Sequence, residues 1–112
     1  MINSNFTVGF KIDRQNLYQI VKNNYKNLRC EYDPDRHAAV RIYYSNQTIN
    51  NVAIFVFESG AIVITGAINK EGIVESFNYI IRILYDNFRQ IVKIDINKFF
   101  ERKDIVMLIN SQ

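Results

Sequence analysis

The sequence predicts an α+β domain in which a five-stranded antiparallel sheet has two helices on one of its faces. Three observations lead to this prediction. Several short segments alternate apolar and polar residues, which is typical of strands with one buried face. Two longer segments repeat apolar residues at helical spacing. The connections between the later strands are short enough for an antiparallel meander. The order is strand, helix, four strands, helix, and both helices should cover the same face.

The first half of the chain predicts a strand, a helix and a second strand. Apolar residues alternate with Asn, Thr and Gly over residues 2–11, which predicts the first strand. Asp13 then offers an N-cap side chain, and helical spacing of apolar residues predicts a helix at about residues 14–27. A short strand is predicted at residues 28–32. A proline suited to the second position of a type I turn places a turn at residues 33–35.

Three further strands are predicted at residues 38–44, 52–57 and 61–65. A polar loop at residues 45–51 joins the first two of these strands. A tight turn at residues 58–60 makes the last two a hairpin. Every second position in these strands is aliphatic, so those side chains should lie under the helices.

The second helix is predicted to follow Asn69, a candidate N-cap, at about residues 70–91. Its single apolar stripe extends over about 22 residues, or ~33 Å. A long helix of this kind needs a broad sheet to lie on. We therefore predict that residues 1–94 form the domain and that residues 95–112 form a tail, in which a short helix is expected.

Composition excludes several classes of protein. A chain of 112 residues suits one domain with one core. One cysteine and one histidine exclude an internal disulfide framework and a typical Cys/His zinc site. No apolar run reaches membrane-spanning length, and no signal-peptide pattern follows Met1. We expect an intracellular protein without metal, cofactor or membrane contact. The formal charge of +3 permits an acidic partner without identifying one.

Alternation also assigns a set of side chains to the sheet face that the helices leave open. This set combines apolar groups, short amides, hydroxyls and one arginine, and it has no acidic residue that would repel phosphate. A large apolar patch with polar admixture marks an interaction surface, although packing against a second subunit or a missing segment explains it equally well. The predicted members of this open face are Asn3, Asn5, Thr7, Ala39, Arg41, Tyr43, Ala53, Phe55, Phe57, Ala61, Val63 and Thr65.

Three segments resemble one known family. Residues 31–40 read EYDPDRHAAV, and residues 55–67 read FVFESGAIVITGA. The first resembles the tyrosine–acid–proline segment of the TATA-box-binding protein repeat, and the second resembles its F-x-S-G-K-x-V-x-T-G-A-K hairpin. Residues 9–13 resemble the first strand-to-helix passage of that repeat, so the match extends from about residue 2 to residue 92. The resemblance implies half of a saddle, with a curved sheet and two helices on its convex face.

The resemblance also implies a transcription-initiation function and not an enzyme. Family members join two such repeats in tandem, and the concave face binds the minor groove of AT-rich DNA and bends it. In this family, apolar side chains inserted between base steps produce the bend. The implied partners are double-stranded AT-rich DNA, general transcription factors or RNA polymerase subunits, and a second repeat or a homodimer partner. The factors would bind the convex helices and the loop at residues 45–51. The implied location is the nucleus or a viral replication compartment, because the divergence and AT-rich codon bias fit a viral homologue.

The resemblance assigns DNA contacts position by position. Phe57 falls where the family inserts a phenylalanine between base steps. The other inserting phenylalanine is replaced by His37, and Tyr43 replaces an arginine that contacts phosphate. Ala61 and Ile68 replace lysines of the hairpin, and the loop at residues 45–51 is about three residues longer by our alignment. The resulting DNA-binding set is Asn3, Asn5, Thr7, His37, Arg41, Tyr43, Ala53, Phe55, Phe57, Val63 and Thr65.

Two functional hypotheses follow from this comparison of motifs. The first is a minor-groove DNA-binding protein of the transcription-initiation type. The second is a protein-interaction module that has kept the fold and lost most of its DNA affinity, because each lost phosphate contact lowers affinity and flattens its salt dependence. An enzyme has little support, since no motif places a nucleophile beside His37, Asp33 and Asp35. Cys30 is expected to be inert and partly buried.

Overall fold

A computed structural model describes residues 2–46 and 51–94 of the chain. Their strands and helices, in chain order, are β1 (Ile2–Thr7), β2 (Lys11–Ile12), α1 (Arg14–Asn24), β3 (Arg29–Glu31), β4 (Val40–Tyr44), β5 (Val52–Val56), β6 (Ala61–Ala67), α2 (Lys70–Asp86), α3 (Phe88–Ile91) and β7 (Val92–Lys93). The main sheet has five strands in the order β1-β6-β5-β4-β3, and all neighbours are antiparallel. The predicted α+β class and five-stranded antiparallel sheet are confirmed. Strands β3 to β6 form the meander, and β1 joins it at the edge beside β6.

The core lies between the aliphatic face of the sheet and the two longer helices. Side chains in β4 and β5 alternate between buried and half-buried positions, as one covered face requires. Ile54 of β5, Leu17 of α1 and Ile80 of α2 are fully buried in one cluster. Both helices therefore cover the same sheet face, and no helix among residues 2–46 and 51–94 covers the opposite face, which we call the open face.

The predicted helix starts are confirmed, but both helices end earlier than predicted. The Asp13 and Asn69 side chains accept backbone hydrogen bonds, each 3.0 Å long, from Asn16 and Gly72. Helix α1 ends at Asn24 and not near residue 27, because asparagine-rich sequence favours caps and turns over helix interior. Helix α2 has 17 residues and not about 22.

Asn87 interrupts the predicted long helix. Its side-chain Nδ2 donates to the carbonyl oxygen of Ile83 at 2.8 Å, so its amide satisfies a carbonyl at the end of α2. The chain continues into the four-residue α3. A second hydrogen bond from the same nitrogen to the hydroxyl of Tyr25, 3.1 Å long, fixes this helix end against the segment after α1.

The predicted strand at residues 2–11 was wrong in extent. Its last sheet pair is Thr7 opposite Ala61, where β6 begins, so no neighbouring strand continues beyond that point. The backbone NH of Val8 donates to Gly60 at 2.9 Å, and the chain bends at residues 9–10. Strand β2 then pairs with β7 in a separate two-stranded sheet.

Some predictions concern residues that the structure does not describe. The tail at residues 95–112 and positions 47–50 of the predicted loop lie outside the described ranges, so the division after residue 94 stays a prediction. Within residues 2–46 and 51–94, no helix has the length and apolar character needed to cross a bilayer.

The turn between β5 and β6 packs closely against the bend after β1. Gly60 has a φ of +92°, a left-handed conformation that favours glycine. A Cβ atom at this position would lie 2.5 Å from the carbonyl oxygen of Phe10 and 2.8 Å from that of Val8. Glu58 in the same turn forms ion pairs of 3.1 Å with Arg14 and Lys93. The turn is therefore joined to the bend after β1, to α1 and to β7.

We expect Gly60→Ala to lower the free energy of unfolding by about 2 kcal/mol or more, because it combines a left-handed φ with backbone overlap. Urea unfolding measures this loss. Gly9→Ala is the matched control, since a Cβ there meets no atom within 4 Å. Equal effects of the two substitutions would contradict the proposed role of the turn.

A second prediction concerns the acid stability of this turn. The hydrogen bond and charge of Lys93, followed by the charges of Arg14 and Lys11, hold the pKa of Glu58 below its usual value. A lowered carboxyl pKa stabilises the folded state above the ordinary glutamate pKa of about 4.3. That stabilisation is lost as the pH falls through the folded-state pKa.

The wild-type chain should therefore lose stability more steeply than Glu58→Gln between about pH 5 and pH 3. Urea unfolding at a series of pH values compares the two slopes. Glu71→Gln serves as the control, because Glu71 is exposed and forms no ion pair within the described part of the chain. Parallel pH profiles for wild type and Glu58→Gln would show that the ion pairs do not stabilise the fold.

Candidate nucleic-acid interface

Two rows of side chains cross the open face of the sheet. The antiparallel registers connect one row across all five strands, with the members Asn5, Val63, Phe55, Arg41 and Glu31. The next row has the members Thr65, Ala53, Tyr43 and Arg29. Seven of the eleven predicted contact residues therefore lie in two adjacent rows. Along these rows the side chains change from amide and hydroxyl groups at β1 and β6 to charged groups at β3.

The β1 end of the face is polar and exposed. Asn3, Asn5 and Thr7 are all exposed, as the alternation predicts. The hydroxyl of Thr65 donates to Oδ1 of Asn3 over 2.6 Å, which joins β1 to β6 by their side chains as well as their backbones. With its oxygen engaged, the amide of Asn3 is oriented to present its NH₂ group as a donor.

An aromatic cluster lies at one corner of the face. The ring centroid of His37 is 5.5 Å from that of Phe55 and 6.4 Å from that of Phe57. The turn after β3 positions this histidine, because its backbone NH donates to Asp33 at 2.9 Å. Its Nδ1 accepts from the backbone NH of Ala39 at 3.1 Å. The structure thus brings together the two positions at which the resemblance expects inserted side chains.

One predicted member of the open face was wrong. Ala39 is fully buried and not a surface residue, because β4 begins only at Val40 and Ala39 belongs to the bend before it. The prediction extended the alternation two residues too far towards the N-terminus of the strand. Arg41 and Tyr43, which lie within β4, face the open side as predicted and are half-buried.

The prediction of a face without acidic groups was also wrong. Strand β3 contributes Arg29 and Glu31 to the open face, opposite Tyr43 and Arg41. The sequence contained a signal for them: Leu28, Cys30 and Tyr32 alternate with these charged residues, and all three pack against the core. Applying alternation to the short predicted strand at residues 28–32 would have identified both positions.

The charged groups at β3 form one connected cluster. Nη2 and Nε of Arg29 lie 3.0 and 3.1 Å from Oε1 of Glu31. Nη1 of Arg41 lies 3.5 Å from Oε2 of the same carboxylate. The guanidinium carbon of Arg29 is 4.3 Å from the ring centroid of Tyr43, a cation–π geometry. One carboxylate therefore contacts both guanidinium groups of the open face.

Cys30 points to the opposite side of β3 and offers no reactive thiol. Burial, with a smaller effect of the Glu31 charge, raises the pKa of this thiol to about 12. The thiolate is the nucleophilic form of cysteine, so the side chain is protonated and unreactive at neutral pH. Within the described ranges, no three His, Cys, Asp or Glu side chains cluster in a way that could hold a metal ion.

The comparisons with known proteins agree with this architecture. A family model described as transcription factor TFIID, or TATA-binding protein, matches residues 2–87. The chain belongs to this family. A "TATA-box-binding protein-like" protein of Acanthamoeba polyphaga mimivirus is 34% identical to this chain over an alignment of 121 residues. The alignment covers 91% of this chain and 33% of the relative. The chain thus spans about a third of the length of that relative.

Family membership confirms the resemblance identified from the hairpin and turn motifs. It also confirms the half-saddle architecture of a five-stranded antiparallel sheet with its helices on one face. The family consists of DNA-binding transcription factors and not of enzymes.

Proposed function

We propose that this domain binds double-stranded AT-rich DNA through the open face and bends it by inserting aromatic side chains into the minor groove. The observation that supports this most directly is the aromatic cluster of His37, Phe55 and Phe57 on an uncovered sheet face. Insertion requires apolar or aromatic side chains on the contact surface instead of in the core. All three side chains are only half-buried and lie on the side away from the helices.

The polar end of the face fits the chemistry of A·T base pairs. The minor groove of A·T pairs presents only acceptors, adenine N3 and thymine O2. Amide and hydroxyl donors from Asn3, Asn5 and Thr7 match such a surface without reading each base. The apolar side chains of Ala53 and Val63 between them add contact area with little desolvation cost. Sequence preference then comes in part from how easily AT-rich steps deform.

The same face indicates a modest electrostatic contribution. Neutralised phosphates release counterions, and the dependence of log K on log salt reflects their number. The open face has two guanidinium groups, Arg29 and Arg41, and one carboxylate, Glu31. Ala61 and Ile68 occupy the lysine positions of the hairpin motif. We therefore expect a shallow salt dependence for DNA binding by this chain.

The saddle would be completed at the β1 edge. Among the described strands, β1 pairs only with β6, so its other side presents unpaired backbone groups. One flank of α2 is apolar and lies over this edge; the ring of Phe77 is 4.5 Å from that of Phe6 in β1. The members of this apolar flank are Ile73, Val74, Phe77, Ile81 and Tyr85.

The exposure of that flank supports a second unit of the same fold beside β1. Val74 and Tyr85 are 56% and 61% exposed, whereas the opposite flank of α2 has charged residues such as Arg82 and Asp86. Antiparallel pairing of two β1 strands about a twofold axis would extend the sheet and place one apolar flank against the other. The second unit is either another repeat in a longer chain or a second copy of this chain.

The convex side is the proposed binding surface for general transcription factors or RNA polymerase subunits. The family assignment supports this proposal, together with the polar flank of α2, which faces away from the open face. The predicted contribution of residues 45–51 lies largely outside the described residues. A nuclear or viral replication compartment is the corresponding location.

A protein-interaction module without DNA affinity is the second candidate. It is favoured by one specific observation, the carboxylate of Glu31 on the open face beside both arginines. DNA binding distinguishes the two candidates directly.

We expect Phe57→Ala to abolish DNA bending while the fold is retained, because it removes an aromatic side chain that would insert between base steps. The measurement is energy transfer between the labelled ends of an AT-rich duplex, with anisotropy reporting binding and circular dichroism reporting the fold. A GC-rich duplex tests the base preference.

Phe57→Leu is the matched control, since leucine keeps an apolar side chain of suitable size and should retain part of the bend. Unchanged binding and bending by Phe57→Ala would show that Phe57 is not inserted. Absence of binding to either duplex at low salt by the wild-type chain, alone and fused to a second repeat, would favour the protein-interaction module.

A separate prediction concerns the β1 edge. Tyr85→Glu should weaken self-association of the chain, because it places a charge on the apolar flank without removing a buried side chain. Sedimentation equilibrium, with and without duplex, measures the change. Arg82→Glu on the opposite flank makes a larger change in charge and should leave association intact. If the wild-type chain stays monomeric on DNA, the partner at β1 is not a second copy of this chain. Another repeat in a longer chain is then the proposed partner.

A further inference from the structure

We infer that Glu31 lowers the DNA affinity of this domain, because its carboxylate competes with DNA phosphates for Arg29 and Arg41 on the open face. This inference rests on the proposed DNA-binding function. It concerns a residue to which the resemblance assigned no DNA contact and which the structure places on the open face through β3.

The position of Glu31 puts its charge on the contact surface. Strand β3 is the outer strand of the sheet at the end opposite β1. The register aligns Glu31 with Arg41, Phe55 and Val63, so the carboxylate shares a row with the proposed DNA contacts. Because Cys30 faces the core, Arg29 shares the face with Glu31 and is not turned towards the helices.

The carboxylate occupies the donors that would otherwise meet a phosphate. Oε1 accepts from Nε and Nη2 of Arg29, at 3.1 and 3.0 Å. Oε2 is 3.5 Å from Nη1 of Arg41. Guanidinium groups bind carboxylate and phosphate with the same paired geometry, so Glu31 and a DNA phosphate are alternative partners for the same donors.

The ion pairs are too exposed to keep the two arginines from binding phosphate altogether. The side chains of Glu31 and Arg29 are 40% and 69% exposed, and exposed ion pairs contribute little to stability. Nε of Arg41 is buried without a hydrogen-bond partner among the described residues, so Glu31 does not satisfy this guanidinium fully. A phosphate can therefore displace the carboxylate, but the released negative charge stays beside the DNA and opposes binding.

Substituting Glu31 should change both the affinity and its salt dependence. Glu31→Gln removes the competing charge, keeps the shape of the side chain, and frees Arg29 and Arg41 for phosphate. We expect the affinity for an AT-rich duplex to rise about 3- to 10-fold near physiological salt, and the slope of log K against log salt to steepen by about one to two. Anisotropy titrations of the full chain at several salt concentrations measure both quantities.

Glu71→Gln is the matched control, because it makes the same change in net charge at an exposed position in the first turn of α2. A second test uses the arginine: Arg29→Gln should reduce affinity more in the Glu31→Gln background than in the wild type. That coupling is specific to competition, since a purely structural role of Glu31 would not make the loss of Arg29 depend on it. Thermal unfolding of each variant checks that the fold is kept.

The outcomes separate this inference from the proposed function. A larger gain for Glu31→Gln than for Glu71→Gln, with the steeper slope, supports the inference. Equal gains for the two variants, or an unchanged or lower affinity for Glu31→Gln while the wild type binds DNA, would overturn it and leave the proposed function standing. Binding by neither the wild type nor either variant at low salt would overturn the proposed function and, with it, the inference.

Discussion

The close packing of the Gly60 turn against the backbone of Val8 and Phe10 is the constraint on which the rest of the fold depends. It ends β1 at the start of β6 and directs the chain into α1. It also presents Glu58 to Arg14, whose other terminal nitrogen donates to the carbonyl oxygen of Ala38 at 2.7 Å. The turn before Ala38 positions His37. One backbone contact thus determines the hairpin and, through Arg14, the place of the aromatic cluster.

The sequence was most informative where a segment was long enough to show its period. Strands β4–β6 and the two N-caps are predicted from alternation and local side-chain chemistry, and the open-face positions follow from the same pattern. The end of β1 was not predictable, because it depends on where β6 begins in space. The end of α2 at Asn87 was missed because the apolar stripe continues past this residue. The helix ends there because the Asn87 side chain donates a hydrogen bond to the backbone carbonyl of Ile83. Strand β3 has only three residues, and its charged positions were overlooked for that reason.

The unequal flanks of α2 are the main support for the proposed partner at the β1 edge. A helix that lies on a sheet needs apolar residues only where the sheet covers it. On α2 the apolar surface extends to Tyr85, beyond the cover that β1 provides, while the opposite flank is charged at Asp86. Such a surface is expected at an interface, since solvent-exposed apolar area of this kind has no benefit in an isolated domain. The unpaired backbone of β1 adjoins the same surface, so one partner would satisfy both.

The weak electrostatics of the open face and the open β1 edge have a common consequence for DNA binding. Bending a duplex costs on the order of 1–6 kcal/mol, and opening a base step costs a few kcal/mol more. Under the proposed function, a single unit would have to offset this cost with few phosphate contacts, because Glu31 already engages Arg29 and Arg41. Two units joined at β1 would share one bend while doubling the polar and apolar contacts. Binding by the paired unit would then exceed the sum of two separate units, and the edge that completes the sheet would determine DNA affinity as strongly as the residues that touch the groove.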